Sequence, residues 1–136
     1  MADKHSDIGI VGLATMGRSL ALNLMDHGVD VAGWNLEPEL TKQLEGEAQG
    51  SNGEFQGTAS LVDLVGSIAR PRRILLMIRA GAPVDEVIDQ ILPMLDAGDV
   101  LIDGGNAHFE DTRRRHRVAT EHGIEFVGLG VSGGES

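Results

Sequence analysis

Asp7-Ile8-Gly9-Ile10-Val11-Gly12-Leu13-Ala14-Thr15-Met16-Gly17 stands almost at the start of the chain, and a helical run over 18–27 follows it. The segment reads as a buried strand, a glycine turn and a helix start, with Gly12, Ala14 and Gly17 at the G-x-G-x-x-G/A spacing of a dinucleotide site. Gly12 has no Cβ and lets the chain leave the strand through backbone angles that other residues avoid. Ala14 stands where backbone must approach a pyrophosphate, and a methyl group is nearly the largest side chain tolerable there. Gly17 lets the new helix lie close against the strand. The unpaired N–H groups and positive dipole end of that helix then face the phosphates.

A bare glycine pattern also occurs in strand-to-helix turns that hold no ligand, so the surroundings decide. Ile8, Ile10, Val11 and Leu13 precede or enter the turn, and Leu20, Leu22, Leu24 and Met25 populate the helix. Gly28 stops that helix, and a second apolar strand is expected over 29–34. Together these make a strand-helix-strand unit of the expected size.

Strand and helix signals then alternate to the end. Pro38 suits the first turn of a polar helix over 39–48, and Gly50 ends it. Turn chemistry at Ser51-Asn52-Gly53 leads to a short edge strand over 54–58. Ser60 is an expected N-cap, with Asp63 three residues on, for a helix to about residue 68. The continuous apolar run over 73–78 reads as a strand covered on both faces. A helix opened by Pro83 runs to Leu95 with Pro93 as a kink or end, and a buried strand spans 100–103. A long polar helix over 109–122 and a last strand over 124–129 complete the order. Such alternation with short connections means an α/β fold of Rossmann type, a doubly wound parallel sheet in a single domain.

The composition agrees with one domain. At 136 residues, 41% hydrophobic and 24% charged, the chain suits a polar tail over 1–6 and a dinucleotide-binding domain over 7–136. A net charge of −10 argues against nucleic acid as a partner. Cysteine is absent, so there is neither a thiolate metal site nor a cysteine nucleophile. No apolar run approaches the ~18 residues of a spanning helix, no membrane partner is expected, and the cytoplasm is the default location. The acidic, lysine-poor composition fits salt adaptation and genomic base bias equally.

Doubly wound sheets hold ligands outside the carboxyl ends of their strands. Those ends carry Gly12-Leu13-Ala14, Asn35-Leu36-Glu37, Arg79-Ala80-Gly81, Asp103-Gly104-Gly105-Asn106 and Gly130-Val131-Ser132-Gly133-Gly134. Glycines and small polar groups thus gather on one rim, as a cofactor-and-substrate crevice requires. Glycines alone would make turns, but Asn106 and Ser132 add hydrogen-bonding groups to the same rim.

In this order, the alanine-bearing glycine turn, Asp26-His27-Gly28, the Asp-Gly-Gly-Asn loop and the Ser-Gly-Gly-Glu loop resemble the 6-phosphogluconate dehydrogenase family. The resemblance runs from about Asp7 to the last residue. Related 3-hydroxyacid dehydrogenases share the fold and a Ser-Gly-Gly loop. They typically carry glycine at the position of Ala14 and lack Gly-Gly-Asn.

The resemblance implies oxidation of 6-phosphogluconate at C3 by NADP or NAD, then decarboxylation to ribulose 5-phosphate. It also implies a cofactor site of Gly12, Leu13, Ala14, Thr15, Met16, Gly17, Asn35, Leu36, Glu37, Ile78, Arg79, Ala80 and Asn106. Asn106, Ser132, Gly133 and Gly134 are then expected to hold the substrate, and the full-length family forms a homodimer. The family's lysine base and glutamate acid follow the Ser-Gly-Gly loop, in a Lys-x-x-His-Asn motif and shortly beyond. Lys4 and Lys42, the only lysines, match neither position, so no catalytic residue is assigned within the chain. The expectation is a truncated domain, inactive alone, whose helical partner domain is absent. A stand-alone dinucleotide-binding module is the alternative.

NADP-dependent relatives carry Asn-Arg-Thr after the second strand, and this chain carries Asn35-Leu36-Glu37. Leu36 offers a 2′-phosphate no charge, and a carboxylate here suits the free ribose hydroxyl of NAD. The expected lean is toward NAD, with Arg79 on the far side of the adenine as a possible source of phosphate affinity. Arg113, Arg114, Arg115 and Arg117 read as a solvated helix face, and none of the five histidines has metal-ligand spacing. His27 and His122 each precede a helix-ending glycine, where the dipole favours them.

Overall fold

Adjacent residues of the first strand belong to different cores: Ile10 is buried beneath one layer of helices and Val11 beneath the other. That division is what a continuous apolar strand produces, because successive side chains leave opposite faces of the sheet. The structure, a computed structural model, describes residues 5–78, 82–104 and 109–128, the side chains of Ala82 and Phe109 excepted. Its elements alternate as β1 Ile8–Val11, α1 Thr15–Asp26, β2 Val31–Trp34, α2 Pro38–Glu47, β3 Phe55–Gly57, α3 Leu61–Gly66, β4 Arg73–Leu76, α4 Ala82–Ile91, β5 Val100–Asp103, α5 Phe109–Glu121 and β6 Glu125–Gly128.

The six strands form one sheet in the order β3-β2-β1-β4-β5-β6, and every pairing is parallel. This order is doubly wound, as the alternation of strands and helices in the sequence leads one to expect of the sheet as a whole. Ile10 sits between Gly33 of β2 and Leu75 of β4 in register, so β1 is the strand at which the winding reverses. On one face Ile10, Leu13 and Leu75 pack with Ala21 and Met25 of α1 and Leu44 of α2. On the other, Val11, Ile74, Leu76 and Leu101 pack with α3, α4 and α5. Fully burying one such aliphatic side chain contributes roughly 1.5–3 kcal/mol.

Local signals account for most element ends. The Ser60 hydroxyl accepts the Asp63 N–H at 3.0 Å and starts α3. The rings of His27 and His122 reach back to the carbonyls of Asn23 and Val118, at 2.8 and 3.0 Å, and close the ends of α1 and α5. Helix α4 stops at Ile91, short of the expected Leu95, and a 3₁₀ turn over Leu92–Met94 follows. Pro93 lacks an N–H and its ring crowds the preceding turn, so the α-helical ladder cannot pass it. Strand β4 ends at Leu76, although Met77 N–H still donates to Val11 O at 2.7 Å. Ser6, assigned from the sequence to the tail, is buried and bridges to Ile68.

At the amino end of the sheet Arg72 ties β4 to the turn before β5. Its guanidinium lies 3.0 Å from Asp99 and 3.1 Å from Asp96, and its N–H donates to Asp99 Oδ1 at 2.7 Å. Burial alone would raise the Asp99 pKa. The N–H groups of Asp96 and Arg72, with the Arg72 guanidinium, outweigh it and hold the carboxyl below its usual range.

Candidate functional site

The glycine turn is built as its spacing demands. Gly12 has φ +99, and a Cβ there would come within 2.5 Å of Met77 O and 2.8 Å of Ile78 Cγ2. Its N–H donates to Trp34 O at 2.9 Å, carrying the β1–β2 ladder one residue beyond the strand. A Cβ on Gly17 would collide with the Gly12 carbonyl oxygen, so only glycine lets α1 begin this close to the end of β1. Leu13 is fully buried beneath the turn, whereas Ala14, Thr15 and Met16 face solvent.

Ala14 is the N-cap of α1 and supplies no side-chain cap. The first turn of α1 also contains no acidic residue. The other four α-helices of the described residues each carry at least one there: Glu39 in α2, Asp63 in α3, Asp85 in α4, and Glu110 with Asp111 in α5. The amino end of α1 therefore has neither a side-chain cap nor an acidic residue beside its positive dipole.

Asn35 joins this turn to the end of β2. Its Oδ1 accepts the Leu13 N–H at 2.7 Å and its Nδ2 donates to Glu37 O at 3.1 Å. Leu36, the next residue, is 81% exposed. Glu37 is the exposed N-cap of α2, and its side chain makes no cap hydrogen bond. Ile78 is half-buried against Gly12. The ends of β1, β2 and β4 thus meet around Gly12, as the sequence implies. Arg79, Ala80, Asn106, Ser132, Gly133 and Gly134 lie outside the described residues.

The strand leading toward Asn106 is held by a charged group the sequence reading misplaced. Arg115, read as part of a solvated face, is buried with its side chain 1% exposed. Its Nε donates to Asp85 Oδ1 at 2.8 Å, and its Nη1 lies 3.5 Å from Oδ2 of Asp103, the buried last residue of β5. Arg114 adds a two-pronged contact to Asp85, at 3.2 and 3.1 Å. The hydrogen bond from Arg115 chiefly, with Arg114 helping and burial opposing, lowers the Asp85 pKa from 3.8 to about 2. The available sequence signal was spacing: Arg115 lies one helical turn before Ala119, which is fully buried. Arg113 and Arg117 instead line an open groove of about 610 Å³ beside β6, with β4 and β5 between it and β1.

Comparison with known proteins places this geometry. The family model described as the NAD binding domain of 6-phosphogluconate dehydrogenase matches residues 7–136. The decarboxylating 6-phosphogluconate dehydrogenase of Chlamydia muridarum is 50% identical over 130 residues, covering 96% of this chain and 27% of the relative. That of Candida albicans is 51% identical over 132 residues, covering 96% and 25%. The chain therefore spans about a quarter of the length of these curated relatives. Among solved structures, Plasmodium falciparum 6-phosphogluconate dehydrogenase, described apo, with NADP+ and with 6-phosphogluconate, matches with a TM-score of 0.82 at 35% identity. That match covers 88% of this chain and 26% of the other. Mycobacterium tuberculosis 3-hydroxyisobutyrate dehydrogenase matches with a TM-score of 0.78 at 20% identity, a likeness of fold alone.

Proposed function

The chain belongs to the family of 6-phosphogluconate dehydrogenase NAD-binding domains, and from that premise we propose that it supplies the cofactor half of an enzyme oxidatively decarboxylating 6-phosphogluconate to ribulose 5-phosphate. The observation that carries the reading is the amino end of α1, which has neither a side-chain cap nor an acid in its first turn. A dinucleotide pyrophosphate fits that end, because its charge meets the dipole and its oxygens meet free N–H groups. Gly12 and Gly17 leave the room that a Cβ would fill. When bound, the nicotinamide accepts the hydride from the sugar acid.

The chain's own residues orient and bind. Leu13, Ala14, Thr15 and Met16 form the pyrophosphate turn, Asn35 with Leu36 and Glu37 borders the adenosine ribose, and Ile78, Arg79 and Ala80 border the adenine. Asn106 bridges cofactor and substrate, and Ser132, Gly133 and Gly134 hold the sugar acid. The base and acid come from sequence beyond these residues. The enzyme works as a cytoplasmic homodimer, with no nucleic acid or membrane partner.

Titration calorimetry of the chain and of Gly12→Asp tests this reading. The wild type is expected to bind a nicotinamide dinucleotide, and the variant to lose it by steric block and charge repulsion. Equal affinity in both would remove the central claim. In a spectrophotometric assay the chain alone is expected to show no 6-phosphogluconate-dependent cofactor reduction, since missing acid and base groups are worth ~10²–10⁴-fold each.

A further inference from the structure

Arg115 divides one guanidinium between two acids that belong to different elements. Its Nε and Nη2 meet the two carboxylate oxygens of Asp85, at 2.8 and 3.3 Å, and its Nη1 lies 3.5 Å from Asp103 Oδ2. Asp85 stands in the first turn of α4, just after the loop that leaves β4. Asp103 is the last residue of β5, paired in register with Leu76 and Gly128, the last residues of β4 and β6. The loops after β4 and β5 both leave the carboxyl edge of the sheet, where a doubly wound fold holds its ligand. The backbone beyond Asp103 is pinned as well. Gly104 N–H donates to Leu76 O at 2.9 Å, and a Cβ on Gly104 would collide with Met77 Sδ.

The side chains of Arg115 and Asp103 are 1% and 2% exposed. A buried ion pair is weak evidence for stability, since apolar residues of the same volume often do as well, and its best-attested use is to fix register. The molecule carries its own comparison. Arg72 likewise joins two acids, Asp96 and Asp99, but at the amino end of the sheet, away from the ligand edge. We propose that Arg115 is a positioning residue for the dinucleotide: by gripping Asp85 and Asp103 together, it sets the spacing between the loop after β4 and the loop after β5. The proposal rests on the reading above, in which Ile78, Arg79 and Ala80 border the adenine and Asn106 bridges cofactor and substrate. With the spacing held, both ends of one dinucleotide are met at once. With it lost, each end still binds but the second contact no longer gains from the first. Lysine cannot replace Arg115 here, because an ammonium is a point charge without the planar fork that spans two carboxylates.

The experiment measures, by calorimetry on the chain, the affinity for NADH and NADPH and for the same molecules without nicotinamide, ADP-ribose and its 2′-phosphate. Wild type, Arg115→Lys, Asp85→Asn and Arg72→Lys are compared, each with its thermal midpoint. The readout is the ratio of dinucleotide to ADP-ribose affinity, because partial unfolding lowers both affinities by the same factor. Arg115→Lys and Asp85→Asn are expected to lower this ratio roughly tenfold, within the usual range of a coupling between two sites. ADP-ribose affinity stays at wild type in both. Arg72→Lys lowers the thermal midpoint and leaves the ratio unchanged. The Asp85 side chain is 31% exposed, so Asp85→Asn keeps the fold and decides the outcome if Arg115→Lys does not fold. An unchanged ratio in the folded variants, or an equal fall in Arg72→Lys, overturns the positioning role and leaves dinucleotide binding standing. So does a wild type that holds ADP-ribose as tightly as the dinucleotide. A wild type that binds none of these molecules overturns the underlying reading and the positioning role together.

Discussion

The side chain of Asn35 accepts the main-chain N–H of Leu13 at 2.7 Å, so the end of β2 holds the turn that leaves β1. Leu13 is fully buried, and its N–H has no strand partner once the ladder has ended. A donor left unsatisfied in such a place costs roughly 1–3 kcal/mol. The same amide donates to Glu37 O and thereby fixes the loop that opens α2. One side chain thus sets the distance between the glycine turn that leaves β1 and the loop that opens α2.

Asn35→Ala is therefore expected to lower the thermal midpoint and to weaken dinucleotide binding about tenfold, as the two loops lose their common anchor. Asn35→Asp keeps the acceptor but loses the bond to Glu37 and adds a negative charge beside the phosphates. It is expected to melt nearer to wild type and still bind poorly. Calorimetry paired with thermal unfolding separates the two effects. A normal affinity in both variants would show that the loops are positioned without Asn35.

Arg115 sets an acid limit. The folded-state pKa of Asp85 is lowered from 3.8 to about 2, so the folded protein binds fewer protons than the unfolded chain in that interval. The stabilisation is complete above 3.8 and is lost as the pH falls toward 2. Arg115→Met takes the guanidinium from Asp85 and from buried Asp103, a change expected to cost roughly 3–5 kcal/mol near neutrality. It is also expected to flatten the acid limb. Urea midpoints measured across that interval give both numbers, and an acid limb as steep as wild type would assign the titration to other carboxylates such as Asp99.

Leu36→Arg puts a guanidinium at the end of β2, where the proposed ribose site lies, and Leu36 is exposed enough to change without disturbing the core. NADP affinity is expected to rise about ten- to a hundredfold with NAD affinity nearly constant. If wild type already prefers NADP strongly and the arginine adds nothing, residues 36 and 37 do not read the ribose.

What the sequence made legible was what short-range chemistry controls. Gly12 and Gly17 announce a turn whose clash partners, Met77 O and Gly12 O, are backbone atoms that any sequence would put there. Ser60 and Asp63 announce a cap, and the run Ile74-Leu75-Leu76 a strand with two covered faces. Arg115 escaped because its direction is set by Asp85 and Asp103, which belong to α4 and β5. Three adjacent arginines look alike in composition, and only the one-turn spacing from Arg115 to Ala119 sets one of them apart.

The strand order carries a further consequence, for the rate of folding. β1 meets β2 after a single intervening helix, but it meets β4 only after α2, β3 and α3 have all been traversed. The first contact closes a short loop and the second a long one, and closure entropy must be overcome before the longer pairing gives any return. The β1–α1–β2 unit, with Asn35 already in reach of Leu13, is thus the piece able to form early. The docking of β4 beside β1, where Met77 meets Gly12, is expected to come later, because it closes the longer loop.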